Sequence, residues 1–262
     1  MKVLCLGDVV GCTGVKNACK LIEDLRSKEK PDVIIVNIEN SAPFGKGIAT
    51  SAVDALKSAG AMVFTGGNHS FSRRESYEIY QKNKDILRPC NYPNGAPGSG
   101  HIAMNIVNSK KKVIIISVQL RVFMKENLGC PFKAVESILG LYKDAITIVD
   151  VHGEATAEKA SFAYFFDGKV TAIFGTHTHI QTADERILPK GTGYITDVGM
   201  TGALNSSIGM KLSGTISNFV TQLPVKFEVE DSKPFVSNAI IFSIDEDSKK
   251  TTAVKRIYEI FN

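Results

Sequence analysis

Several features that would fix a protein's class are missing from this chain. Its five cysteines, Cys5, Cys12, Cys19, Cys90 and Cys130, form no CxxC pair, and an odd number cannot all pair with one another. Cys5 lies in an apolar run and Cys19 on an apolar helical face, so buried free thiols are expected, as in a reducing compartment. No apolar stretch approaches the roughly 18 residues that a membrane span requires. The opening Met1–Leu6 runs into Gly7-Asp8 too soon for a signal peptide, and a cytoplasmic protein is the expectation. Charge of one sign is not concentrated either. The formal charge is +4 over 262 residues, and the longest basic run, Lys110-Lys111-Lys112, follows Asn108-Ser109 in what reads as a hairpin turn. Duplex nucleic acid would call for a concentrated basic face, whereas a small anionic substrate remains compatible. Repeats, low-complexity segments and linkers are lacking, so residues 1–262 are read as one domain.

What is present is an ordinary globular composition, 44% hydrophobic and 22% charged. The first two-thirds of the chain alternate strand and helix. Strands are expected at Val3–Leu6, Val33–Val36, Met62–Phe64, Ile146–Val149 and Val170–Phe174, with helices near Val15–Leu25, Thr50–Ala59, Ser72–Lys84, Phe132–Tyr142 and Ala157–Phe166. A hairpin is expected over His101–Val107 and Lys112–Val118. After residue 180 the pattern turns to hairpins, at Ile187–Asp197, Lys226–Val229, Val236–Ile244 and Thr252–Tyr258. This order argues an α/β layered sandwich with two mixed sheets.

The five strands of the alternating region each end in a short polar cluster: Asp8, then Glu39-Asn40, Asn68-His69, His152, and His177-Thr178-His179. Ligands of open α/β sheets bind outside the carboxyl ends of strands, so the clusters are expected to meet at one edge. Only five histidines occur, and four of them, His69, His152, His177 and His179, stand at these strand ends. A lone histidine is more often structural than catalytic; four in one setting need a shared explanation. Carboxylate, amide and imidazole together suit first-row transition metals, and the absence of cysteine from the clusters disfavours a structural zinc site. The ligands outnumber one ion's needs. Two ions about 3.5–4 Å apart can share a carboxylate, activate a bridging water and clamp the oxygens of a phosphoryl group. If the segment is extended, His177 and His179 point the same way and can serve neighbouring ions.

In order, Gly7-Asp8, Asn37-Ile38-Glu39-Asn40, Gly67-Asn68-His69, His152 and Gly175-Thr176-His177-Thr178-His179 resemble the motif blocks of calcineurin-like metallophosphoesterases. Gly7-Asp8-Val9-Val10-Gly11 and Thr196-Asp197-Val198-Gly199-Met200-Thr201-Gly202 look like the YmdB-like phosphodiesterase branch. The resemblance spans essentially the whole chain. It implies a four-layer αββα sandwich, with one metal on Asp8, Glu39, Asn40 and His179 and another on Glu39, Asn68, His152 and His177. Glu39 would bridge, and His69 would protonate the leaving oxygen. It also implies iron or manganese, with zinc as an alternative, and hydrolysis of 2′,3′-cyclic and to some degree 3′,5′-cyclic nucleotides.

Two positions depart from the wider superfamily. Val10 stands where a metal-ligating histidine is usual, with Asn40 as the substitute, and Ser70 stands where an acid often orients the histidine now at 69. Other residues near the motifs have bland readings beside functional ones. Asp150 and Glu154 read as solvated loop acids before supports for His152. Asp197 reads equally as a turn former or a group near the substrate. Gly45-Lys46-Gly47 lacks a phosphate loop's spacing, Arg73 and Arg74 read as a solvated helix start, and Cys12 is expected away from the metals.

The function expected is hydrolysis of a small cyclic phosphodiester by a metal-bridging hydroxide, with His69 as general acid. A phosphomonoesterase, a nucleotidase or an RNase would use the same site. A metal-binding regulatory protein with slight activity is the rival of a different class, but neither a ligand nor His69 is missing. RNA and a second copy of the chain stay open as partners.

Overall fold

The computed structural model describes residues 1–107 and 109–262; Asn108, in the expected hairpin turn, lies outside them. The alternating region folds as its pattern dictates. β1 (Lys2–Leu6), α1 (Gly11–Lys28), β2 (Val33–Asn37), α2 (Thr50–Ala59), β3 (Val63–Thr65), α3 (Glu75–Lys82) and β4 (Ile86–Leu87) come first. The four strands are parallel neighbours in the order β1-β2-β3-β4. Helix α1 buries Val15, Ala18, Leu21, Ile22 and Leu25, a stripe at helical spacing. Helix α2 stops at Gly60, whose φ of 116° is open to glycine and costly to residues with a Cβ.

A second sheet follows: β5 (His101–Asn105), β6 (Lys112–Gln119), α4 (Pro131–Leu139), β7 (Ala145–His152), α5 (Thr156–Phe166), β8 (Ala172–Thr176), β9 (Arg186–Ile187) and β10 (Gly193–Ile195). Its order is β5-β6-β7-β8-β10-β9, with antiparallel edge strands flanking a parallel centre. The chain then returns to the first sheet through β11 (Thr201–Ala203), α6 (Leu212–Thr221), β12 (Phe235–Asp245) and β13 (Lys250–Phe261). β12 lies antiparallel beside β1, with β11 and β13 paired to β12.

Alternation along the strands produces the layers. Leu4 and Leu6 of β1 face α1 and α2, while Val3 and Cys5 point the other way, into a core shared with Val113, Ile115, Ile146 and Ile148 of the second sheet. The far side of that sheet packs Ile114, Ile116, Val149 and Val151 against Val135 of α4 and Phe162 and Phe166 of α5. The result is helix, sheet, sheet, helix: the expected four-layer αββα sandwich. All five cysteines are free, and Cys5 is buried.

Two expectations need correction, and one element was not expected at all. The helix expected from Ser72 spans only Glu75–Lys82. Lys226–Val229 is not a strand; Val229 makes a single bridge to Met210, and no ladder forms beside it among the described residues. Helix α6 was hidden in the sequence because it is rich in Gly, Ser and Thr and buries only Thr215, so it has no core-facing stripe. Among the described residues, no helix is long and apolar enough to cross a membrane.

Candidate metal centre

The parallel strands of both sheets end at one edge, so their trailing loops share a space. Asp8 follows β1 and is wholly buried, its carbonyl accepting from the Thr201 amide at 2.8 Å. Glu39 and Asn40 follow β2, and both are buried. Asn68 and His69 follow β3. Gly67 before them has a packing reason: a Cβ there would lie 2.3 Å from the His152 ring. His152 is the last residue of β7. His177 and His179 come just after β8, with φ of 100° and 65°. The segment is therefore not extended, and the i, i+2 argument does not apply. Left-handed backbone, sparsely populated by residues with a Cβ, aims the two rings instead.

The seven expected ligands fall into two touching groups. In the first, His152 Nε2 lies 2.8 Å from Asn68 Oδ1, 3.1 Å from His177 Nδ1 and 3.2 Å from Glu39 Oε1. In the second, His179 Nε2 lies 3.1 Å from Asn40 Nδ2 and 3.6 Å from Asp8 Oδ1. The groups are stitched together where the His177 amide donates to Asp8 Oδ2 at 3.1 Å. The His69 amide donates to Glu39 Oε2 at 2.9 Å, while its ring stands off beside Ser72, Nδ1 to Oγ at 3.2 Å.

These residues suit a cation. Thr176 donates its hydroxyl hydrogen to Asp150 Oδ1 at 2.7 Å, so Thr176 Oγ1 accepts from His152 Nδ1 at 2.9 Å. That bonding pattern leaves Nε2 of His152 as a lone pair. In the same way His177 Nε2 faces Glu154 Oε2 at 3.1 Å, and His179 Nδ1 faces the Ile208 carbonyl at 2.9 Å. Each ring thus commits one nitrogen outward and turns the other toward the acidic centre. Ring lone pairs and carboxylate oxygens so converge, and the buried Glu39 Oε1 has no hydrogen-bond partner. Glu39, His152 and His177 form a group able to hold a metal ion. Asn40 differs, since its amide nitrogen faces His179; as a ligand it would present Oδ1 after a half-turn of the amide.

Burial dominates the electrostatics. It pushes the His152 imidazole down to about 4 and also lowers His177, keeping these rings neutral and basic at one nitrogen, and it lowers His69 against the opposing pull of the Glu39 carboxylate. It raises Glu39 against the opposing pull of the neighbouring histidines.

The supports were only partly visible in the sequence. Asp150, expected as a solvated acid, is wholly buried within β7, because that strand extends three residues further than its apolar run. Its carboxylate accepts from Thr65, Thr176 and Asn37 and, through Thr176, fixes His152. Burial raises it to about 7. Glu154 touches His177, not His152. Asp197 takes its turn-forming role, accepting from the amides of Thr178 and Gly199 at 3.0 and 2.9 Å. Its partner was missed: buried Lys159 donates to Asp197 and to the Thr176 carbonyl, at 2.8 and 2.7 Å. The available signal was a lysine one turn before Phe162 and Ala163 on the buried face of α5.

Val10 packs in an apolar cluster with Met200, Val229 and Val236, where no ligand is called for. Ser70 is buried and accepts from the Tyr80 hydroxyl, so Ser72 is the group that meets the His69 ring. Arg73 pairs with Glu75, Arg74 is exposed, and Cys12 is exposed on α1. His101, the histidine outside the strand-end clusters, meets the Tyr142 hydroxyl at 3.3 Å. The centre opens into a cavity of about 710 Å³, whose wall includes Glu39, Asn40, His69, His177 and His179.

A family profile described as YmdB-like protein matches residues 4–257. The chain is 40% identical to a 2′,3′-cyclic-nucleotide 2′-phosphodiesterase of Bacillus subtilis, over 98% of this chain and 96% of that protein. Two crystal structures superpose with a TM-score of 0.93. One, a hypothetical protein of Thermus thermophilus, is 33% identical and covers 100% of both chains. The other, described as a novel phosphatase of Mycoplasma pneumoniae, is 34% identical over 99% of this chain and 93% of that one. With the profile matching nearly from end to end, the chain belongs to the YmdB-like family.

Proposed function

We propose that this chain hydrolyses the phosphodiester of small cyclic nucleotides, 2′,3′-cyclic before 3′,5′-cyclic, at a dinuclear metal centre. One ion would take Asp8, Glu39, Asn40 and His179, the other Glu39, Asn68, His152 and His177. The observation that carries this reading is the outward commitment of one nitrogen on each ring, to Thr176, Glu154 and the Ile208 carbonyl. The donor set of nitrogen and carboxylate oxygen suits iron or manganese before magnesium. Bound there, such ions are Lewis acids toward phosphoryl oxygens and bring water into nucleophilic range near neutral pH.

The chain's own residues supply the rest. His69 lines the cavity beside Glu39 but outside both close groups. With Nδ1 held at Ser72, Nε2 is the nitrogen that gives its proton to the departing ribose oxygen as the phosphorus–oxygen bond breaks. The Glu39 carboxylate beside it favours the protonated ring, while burial lowers its pKa and so weakens its hold on the proton. The name of the Bacillus subtilis relative supports breakage at the 2′ oxygen, leaving a 3′-monophosphate.

The test is metal analysis of protein purified without chelators, together with a panel of cyclic nucleotides, phosphomonoesters and RNA. Two transition-metal ions per chain and fastest turnover of 2′,3′-cyclic nucleotides are expected. A preference for monoesters would replace this reading with a phosphatase one.

A further inference from the structure

The cavity at the metal centre is not lined by polar groups alone. Phe44, Ile208, Met210, Phe219, Val225 and Phe227 belong to its wall together with the expected metal ligands. The volume, about 710 Å³, lies in the range of small-molecule sites and exceeds what a phosphate beside the metal ligands would fill. These rings are not required by the core. Phe44 is 70% exposed and Phe219 71%, and α6, which carries Phe219, buries only Thr215. Phe44 is nonetheless held in place. Its loop is tied by the Gly45 amide to the Ala42 carbonyl at 2.8 Å and by the Ala42 amide to the Gly47 carbonyl at 3.0 Å. The Arg73 guanidinium lies 6.0 Å from its ring.

We propose that these apolar residues form a nucleobase-binding wall, with Phe219 and Phe44 as its aromatic faces, and that it sets KM. The proposal rests on the reading of the centre as a nucleotide phosphodiesterase. A cyclic ribose phosphate anchored at the metal ligands must send its base outward into the same cavity. Aromatic and aliphatic side chains offer a base a stacking surface and no hydrogen bonds to its edges, and stacking accepts any base. The wall therefore distinguishes a nucleotide from a bare sugar phosphate, and a purine from a pyrimidine by area.

The experiment compares kcat and KM for 2′,3′-cyclic AMP, 2′,3′-cyclic UMP and the 2′,3′-cyclic phosphate of methyl riboside, which has no base. Stacking contributes roughly 5–150-fold in affinity per base. The wild-type KM should accordingly rise by about tenfold or more when the base is removed, and rise less from AMP to UMP. Phe219→Ala and Phe44→Ala should each bring the KM ratio of base-free to adenine substrate toward one, with the change in KM and not in kcat, and Phe219→Trp should restore it. A wild-type ratio near one would overturn the wall. So would an equal rise in KM for both substrates, above all if the variant also changed oligomeric mass, since α6 would then be an interface between copies. If no diester is turned over, the functional reading has failed on its own, and calorimetry with 3′-AMP decides the wall. Binding weakened by Phe219→Ala would keep the wall; unchanged binding would remove it.

Discussion

The two sheets bring different chemistry to the same edge. Strands β1, β2 and β3 of the first sheet lead into oxygen-bearing groups, Asp8, Glu39, Asn40 and Asn68. Strands β7 and β8 of the second lead into the imidazoles of His152, His177 and His179. The group able to hold a metal ion, Glu39 with His152 and His177, draws on both sheets. The two sets meet where the sandwich closes, and the one strand-end histidine of the first sheet, His69, stands outside the close groups. On the proposed reading, ligand and acid are separated by which sheet a histidine follows, and metal binding would tie the two sheets together.

The sharpest way to break that tie is at Glu39, the carboxylate that meets His152 across the sheet junction. On the proposed reading, Glu39→Ala removes a shared ligand and the negative charge that would let two cations sit close together. It should lose at least one equivalent of metal and drop activity to background, read by metal analysis and turnover of 2′,3′-cyclic AMP. Two retained metals with normal turnover would end the bridging role.

Next in size is the contrast between the two kinds of histidine. His69→Ala should keep both metals while kcat falls by about 10²–10⁴-fold on a nucleotide, the usual contribution of general acid catalysis. A nitrophenyl diester, whose leaving group departs without a proton, should be far less affected at matched metal occupancy. His177→Ala should instead lose metal. If His69→Ala loses metal as well, the division by sheet is wrong.

A smaller effect is expected one step behind the ligands. Thr176→Val removes the hydroxyl that accepts from His152 and donates to Asp150. Such supporting partners typically contribute about 10–100-fold in metal affinity, and a competition titration with a chelator would read it. Unchanged affinity would mean that packing alone holds the ring.

The smallest effect is on the stability of metal-free protein in acid, where two buried groups oppose one another. His152 is held at about 4 against its ordinary 6.5, so below 6.5 the unfolded chain binds a proton that the folded chain refuses, and stability falls as pH drops toward 4. Asp150 is raised to about 7 from 3.8, so its contribution is present at low pH and lost as pH rises through 7. Asp150→Asn removes the second contribution only. Melting curves of the metal-free variant should therefore decline more steeply than wild type between pH 6.5 and 4. Parallel curves would contradict the opposition.

What the sequence disclosed follows from how local each signal is. The expected ligand residues sit directly after short apolar runs, and such runs are the ends of buried parallel strands, so the polar clusters and their shared edge were legible. The aim of His177 and His179 was not, because it depends on positive φ values that spacing does not encode. Asp150 was misread and Lys159 missed because distant partners decide their burial. Thr65, which donates to Asp150, is 85 positions away, and Asp197, which accepts from Lys159, is 38 away. Helix α6 escaped because its apolar side chains face the cavity and solvent instead of a core.

The most direct test of the account is a titration of metal-stripped protein with manganese or ferrous ion, following bound metal and hydrolysis of 2′,3′-cyclic AMP together. Activity should be absent at first and rise to a plateau at two equivalents per chain, as the oxygen ligands of one sheet and the imidazoles of the other are drawn onto shared ions. Full activity in the stripped protein, or a plateau at one equivalent, would contradict it.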